Sequence, residues 1–406
     1  MGTMIGSGVF LLPASLAPYG WNAVGGWIMT IGGALVLAKL LADLTRHHSG
    51  RGNATAFVRS AFGPCPEFLI GWIYLVSVWA GVVTVAIAAV SYLSSLFPAV
   101  AATPTVATAS VIAVVWAVTL VNIHSVRAAG NFQVVTLTLK VLPLVIVMVL
   151  AAIVVASGKA APPPFDPQAI SLPALGGAAA LTLWALVGFE AASISAHQVE
   201  NPERNVPLAT VWGTALTGLL YLVVCSAIAL LLPADLAAAS PAPFATFVER
   251  YWSAGPAASV AVFAVISCVG AMNGLVLMSG ELPRAMAAEG LLPGWVGKDA
   301  AGTPRRALVV SGMIASVLAL MNASGGLKAA FEFLLLLSTS ATLWLFLACA
   351  LAAIRLGVSR PLAVLGAIYS LLTLWGAGVW GSVLSLVLML AGLPLYWWAR
   401  RERAVA

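Results

Sequence analysis

The sequence predicts an all-α polytopic membrane protein with about twelve transmembrane helices. Three observations carry that expectation. The 406 residues are 62% hydrophobic and only 8% charged, with mean hydropathy +1.04, whereas a soluble domain carries about 25% charged residues. Apolar runs of spanning length recur from one end of the chain to the other. The cations are also unevenly divided between alternate connections, as the positive-inside rule requires of a multi-pass protein.

The apolar runs fall near 1–17, 23–44, 66–97, 104–123, 131–157, 173–198, 206–232, 256–283, 305–321, 329–354, 361–376 and 379–398. Start the first in the cytoplasm and alternate. Of the 19 Lys and Arg, only Lys159, Arg250 and Lys328 then lie outside, and Lys140 lies within a span. Both termini are therefore expected in the cytoplasm, in a bacterial-type cytoplasmic (inner) membrane. The connections 46–59 and 284–306 are long and polar, while 158–172 and 232–254 are Pro- and Ala-rich. At the C-terminus, Trp397 and Trp398 precede Arg400 and Arg401, an interfacial anchor with its cations in the cytosol.

Several function classes recede. The net charge of +6 is explained by topology, and no basic stripe with interleaved aromatics suggests nucleic acid. The alternating segments of a membrane β-barrel are missing. Cys65, Cys225, Cys268 and Cys349 are isolated, and His47-His48 has no carboxylate or thiol partner. No metal site or cofactor is expected. A channel would need a polar pore or charged rings, and an enzyme would need a nucleophile–base or metal constellation. A non-transporting receptor differs from a carrier by lacking saturable flux.

The informative positions are those where a membrane helix cannot stay helical. Gly6-Ser7-Gly8 interrupts the first run; each glycine weakens a helix by about 1 kcal/mol. A break frees backbone groups that lipid cannot satisfy, so a ligand or cavity must. The half-helix that follows presents N–H groups and a dipole suited to a carboxylate, and Ser7 adds a hydroxyl. The sixth run holds a second candidate, 184–190, where Gly188 permits unwinding and Glu190 is an ionisable group at membrane depth. Carbonyls from Trp184 to Val187 could accept an ammonium, with the Trp184 indole as a cover. Glycine pairs also serve close helix packing. Paired breaks in runs one and six are nevertheless the pattern of a transporter's midplane site, if runs one to five and six to ten are inverted repeats.

Two other charges stand out. Lys140 lies too deep in the fifth run to snorkel. Burial penalises its charged form, so it can hand over a proton or neutralise the carbonyls unwound near Gly2 to Ile5. Glu281, three residues before Arg284, is expected to pair with it at the cytoplasmic end.

At these residues a family resemblance becomes specific. Gly6-Ser7-Gly8-Val9-Phe10-Leu11-Leu12-Pro13-Ala14 resembles the first-helix motif of the amino acid–polyamine–organocation superfamily. The segment Glu200-Asn201-Pro202-Glu203-Arg204-Asn205-Val206-Pro207 resembles the loop after its sixth helix, and 286–293 the loop after its eighth. The nearest branch is the basic amino acid/polyamine antiporters, especially arginine/agmatine antiporters. The resemblance spans nearly the whole chain. It implies two inverted five-helix repeats with discontinuous helices 1 and 6, here 1–157 and 173–354, and two further helices over 361–398. It also implies alternating access, and frequently a homodimer in the bilayer. By the same resemblance, backbone near Met4, Ile5, Ser7 and Gly8 holds an amino-acid head group. Carbonyls near Trp184 and Val187 bind the amine. Trp184 closes over substrate, Glu190 is a proton-linked gating acid, and Tyr74 belongs to the outer gate.

Three departures qualify that picture. Arginine/agmatine antiporters place an asparagine where this chain has Val82 and a tryptophan where it has Leu275. Neither residue can recognise a guanidinium, so the expectation is an amino acid with a neutral or apolar side chain, and the alternative is an arginine/agmatine-type cationic exchanger. Lys140 replaces an apolar residue, as in proton-coupled members where a lysine stands in for sodium, so proton-linked, sodium-independent transport is expected. Finally, Met1 lies only five residues before Gly6, which points to a start site upstream.

Overall fold

A computed structural model describes residues 4–47, 54–124, 126–189, 201–297 and 303–405. Regular structure among them is helical: α1 Ser7–Leu16, α2 Trp21–His47, α3 Ala54–Phe62, α4 Pro64–Leu96, α5 Pro104–His124, α6 Val126–Ala156, α7 Leu172–Leu186 and α8 Pro202–Leu231. Then follow α9 Ala234–Ala239, α10 Pro243–Tyr251, α11 Ala254–Ala288, α12 Arg305–Met321, α13 Gly326–Leu356, α14 Arg360–Gly376, α15 Val379–Leu390 and α16 Leu393–Val405. Eight helical stretches among the described residues are long and apolar enough to cross a bilayer. The chain is an all-α polytopic membrane protein.

Position in the bundle follows from side-chain polarity around each helix. The most apolar window of α4 is wholly buried, whereas that of the C-terminal stretch Val379–Arg401 is 17% buried. So α4 is the central post, packed on α11 and α13, and α15–α16 present their apolar sides outward. Trp380, Trp397 and Trp398 are exposed there, in keeping with an interfacial belt. A second layer sets α2 against α7 and α8. Cys225, Cys268 and Cys349 are buried and Cys65 is half-buried.

In the first interrupted run the described helix covers Ser7–Leu16, continued by a 3₁₀ turn at Ala17–Tyr19. In the sixth it covers Leu172–Leu186, and 190–198 lie outside the described residues. The run 379–398 divides at Gly392, where a Cβ would stand 2.5 Å from the Trp72 ring. Two supposed loops also contain helices. Residues 54–62 form α3, and 232–254 hold α9 and α10, with Phe244 and Phe247 fully buried. The spacing Phe244, Phe247, Val248, Tyr251 is that of one helical face; the surrounding Pro and Ala hid it.

Ion pairs gather at the end of the bundle where α2, α11 and α13 finish and α4, α12 and α14 begin. Arg284 pairs with Glu281 at 2.5 Å, as expected. The Arg59 Nη1 lies 3.4 Å from Glu67 and 3.5 Å from Glu289, tying α3 and α4 to the end of α11.

Candidate functional site

The structure brings the two breaks together. Gly6 caps α1 with φ −156° and ψ −148°, and no side chain caps that end. Among the described residues, no side chain takes up the first N–H groups of α1, which suits that end to a ligand or to solvent. On the facing helix, α7 ends at Val187, whose backbone is extended (φ −56°, ψ 135°), and Gly188 takes φ +119°, a conformation that favours glycine. The two ends touch: a Cβ on Gly8 would lie 2.9 Å from the Ala185 Cα and 3.0 Å from the Trp184 ring. The donor end of one helix and the acceptor end of another thus share one neighbourhood. That arrangement complements a zwitterion, with carboxylate toward α1 and ammonium toward α7.

The unwound segment before α1 is held from outside itself. Met4 and Ile5 are buried, and Tyr221 of α8 donates its hydroxyl to the Met4 carbonyl at 2.9 Å. Pro13 supplies no N–H to the Val9 carbonyl one turn earlier; the Cys225 thiol approaches that carbonyl at 3.7 Å. Tyr92 donates to the Phe10 carbonyl at 2.8 Å and accepts from the Phe244 N–H at 3.2 Å. The buried part of α10 is thereby locked to α1. Ser7 opens α1, but its side chain lies outside the described residues, as does Glu190.

One stripe of α11 organises the remaining positions. Cys268 lies within electrostatic range of Lys140, which is fully buried on α6. One turn on, Ala271 meets Gly6 so closely that a Cβ there would stand 2.4 Å from the Ala271 Cβ. Leu275 then faces Gly81 of α4, at 3.5 Å from a Cβ on that glycine. Met278 receives the Tyr74 hydroxyl at 3.5 Å. Spacings of three and four keep these residues on one helical face. Val82 is buried beside Gly81. Lys140, Gly6, Gly81 and Tyr74 therefore line up in order along one helix. The carbonyls of Gly2 and Thr3 that Lys140 was expected to neutralise lie outside the described residues.

Tyr74 lies eight residues before Val82, about 12 Å along α4 at 1.5 Å per residue, toward the ion-paired, cation-rich end. The resemblance supplied the residue but not its depth, which is fixed by where α4 begins.

A hydroxyl cluster escaped the sequence reading. Trp184 donates Nε1 to the Ser338 Oγ at 3.2 Å and meets Phe331 edge-on at 6.0 Å. Ser338 bonds the Ser77 carbonyl at 2.9 Å, and Ser77 Oγ reaches Thr342 Oγ1 at 2.5 Å. Ser338 also lies beside Gly81. The indole is thus oriented by α13 rather than held only by packing. The run Ser338-Thr339-Ser340 inside an otherwise apolar span was the available signal.

The family model for amino acid permeases matches residues 1–400. The chain belongs to the amino acid permease family. This permease is 33% identical over 336 residues to a cadaverine/lysine antiporter of Escherichia coli strain K12, covering 80% of this chain and 74% of that protein. It is 28% identical to the putrescine transporter PotE of the same strain, covering 98% of this chain and 93% of that protein. A putrescine transporter PotE of Haemophilus influenzae is 27% identical over 409 residues. The permease is thus a multi-pass membrane transporter of the basic amino acid/polyamine antiporter branch, not an enzyme. A preference for neutral side chains finds no support among these relatives.

Proposed function

We propose that this permease exchanges a lysine-type amino acid for an aliphatic diamine by alternating access across a bacterial cytoplasmic membrane. The observation that carries the reading is the meeting of the open α1 N-terminus with the α7 C-terminus at Gly8 and Trp184. An amino-acid carboxylate binds the first and an ammonium the second. Val82 and Leu275 form an apolar wall that suits a methylene chain better than a planar guanidinium. The relatives that transport cadaverine, lysine and putrescine favour that chemistry. In this reading 1–157 and 173–354 are inverted repeats, both termini are cytoplasmic, Glu190 is the gating acid, and Tyr74 gates the cytoplasmic half. Lys140 occupies the place where a bound sodium would otherwise neutralise the unwound backbone, so transport responds to ΔpH and not to sodium.

The test is competition for uptake in proteoliposomes, with sodium and pH gradients imposed separately. Lysine, cadaverine and putrescine compete, arginine and agmatine compete weakly, and internal diamine accelerates uptake. The apolar wall also favours a second reading, a carrier of neutral amino acids. Competition by leucine, alanine and methionine with none from diamines would establish it. Stimulation by sodium alone would overturn the role given to Lys140.

A further inference from the structure

A second polar feature lies away from the two breaks. At the end of the bundle opposite the ion-paired face is a cavity of about 530 Å³. It is lined by Ser15, Tyr19, Leu181, Lys328, Glu332 and Leu336, among others. Leu181 is one turn from Trp184 on α7, and Glu332 follows Phe331, the ring against which Trp184 packs. The cavity therefore sits above the indole that covers the helix breaks.

Its two charged groups do not pair with each other. Lys328 and Glu332 stand one turn apart on α13, a spacing that commonly gives an ion pair. Lys328 instead donates Nζ to the Ala238 carbonyl of α9 at 2.6 Å. Glu332 is half-buried and forms no ion pair or hydrogen bond among the described residues. Its charge is felt at the Tyr19 phenol, whose hydroxyl stands over Gly177 of α7 and likewise has no hydrogen-bond partner among the described residues. A carboxylate and an aromatic ring with nothing else to satisfy them, on the wall of one cavity, are a site for an organic cation. The carboxylate takes a charge-assisted hydrogen bond from an ammonium, and the ring offers its face.

We infer that Glu332 and Tyr19 form an outer subsite that captures the ammonium group of a cationic amine before it passes Trp184. The inference rests on the proposed orientation and on cationic substrates. It also separates two tasks: the vestibule selects for positive charge, and the apolar wall at Val82 and Leu275 selects for an aliphatic chain. The Glu332 carboxylate attracts an ammonium at short range, and that attraction weakens as salt rises.

The test is uptake of labelled lysine and putrescine by cells expressing the full chain, with E332Q and E332D compared at low and high ionic strength. Surface expression is measured for each. For E332Q, the external KM for lysine and putrescine rises about fivefold at low salt, as loss of one charge pair predicts. Maximal rate and the KM for export are unchanged. E332D stays near wild type, and the wild-type KM rises with salt toward that of E332Q. An unchanged KM for the cations, or a wild-type KM that does not move with salt, would overturn the subsite and leave the exchange reading intact. A wild-type chain that takes up neither lysine nor putrescine would overturn both.

Discussion

The two broken helices are stabilised in different ways, and the difference separates where the protein is rigid from where a ligand acts. The break before α1 is a packing device. Gly6 and Gly8 are glycines because Ala271 and Trp184–Ala185 stand where their side chains would be, and neither has a positive φ. The break after α7 is a conformational device. Gly188 is a glycine because the chain turns at φ +119°. A substitution at the first break creates a clash that a neighbour can relieve. At the second it creates backbone strain that no neighbour relieves.

The largest expected effect is at Gly8. Its Cβ would meet the Ala185 backbone at 2.9 Å, and a main-chain atom cannot be trimmed. Gly8→Val should abolish lysine uptake, more than about 100-fold, while the protein still reaches the membrane. Gly6 is the informative contrast, since its obstacle is the Ala271 methyl at 2.4 Å. Overpacking of that kind costs about 1–3 kcal/mol, or roughly 5- to 150-fold in a transport rate. Gly6→Ala should fall in that range, and the double variant with Ala271→Gly should regain most of the loss. A double variant no better than Gly6→Ala would break the packing account of the first helix.

At the second break the prediction inverts. Gly188→Ala should slow exchange by roughly 5- to 150-fold, since a strained backbone costs on the order of 1–3 kcal/mol. Trimming its neighbours should not restore the rate. Rescue by a compensating small residue would show that Gly188 too is a packing glycine. These two sites also show what the sequence revealed. Both breaks were legible, because glycines inside an apolar run conflict with the helix that lipid demands. Their reasons were not, because a glycine looks the same whether space or φ requires it. The α11 stripe and the Ser338 cluster were hidden for a related reason: each is a contact between distant segments, and only helix depth brings Ala271 to Gly6 or Ser338 to Trp184. Glu332 passed unnoticed because a charge near a span end reads as solvated until Lys328 is seen to be engaged elsewhere.

The smallest effect sharpens the comparison by probing what else holds the first break. Tyr221 is fully buried and donates to the Met4 carbonyl. Replacing it with phenylalanine keeps the ring and leaves that carbonyl without its donor. A buried carbonyl deprived of a partner costs about 1–3 kcal/mol, but the segment before Gly6 is already unwound and can shift toward water in the pathway. The lower end is therefore expected, with Tyr221→Phe raising the KM for lysine roughly fivefold and leaving maximal exchange largely intact. The carbonyl lies on the side of the break that orients the α1 N–H groups, so the amino-acid carboxylate should feel the loss more than a diamine, which has none. Measuring lysine and cadaverine side by side decides the matter. Equal losses for both would mean that Tyr221 secures only the fold, and that the head group is not read at the start of α1.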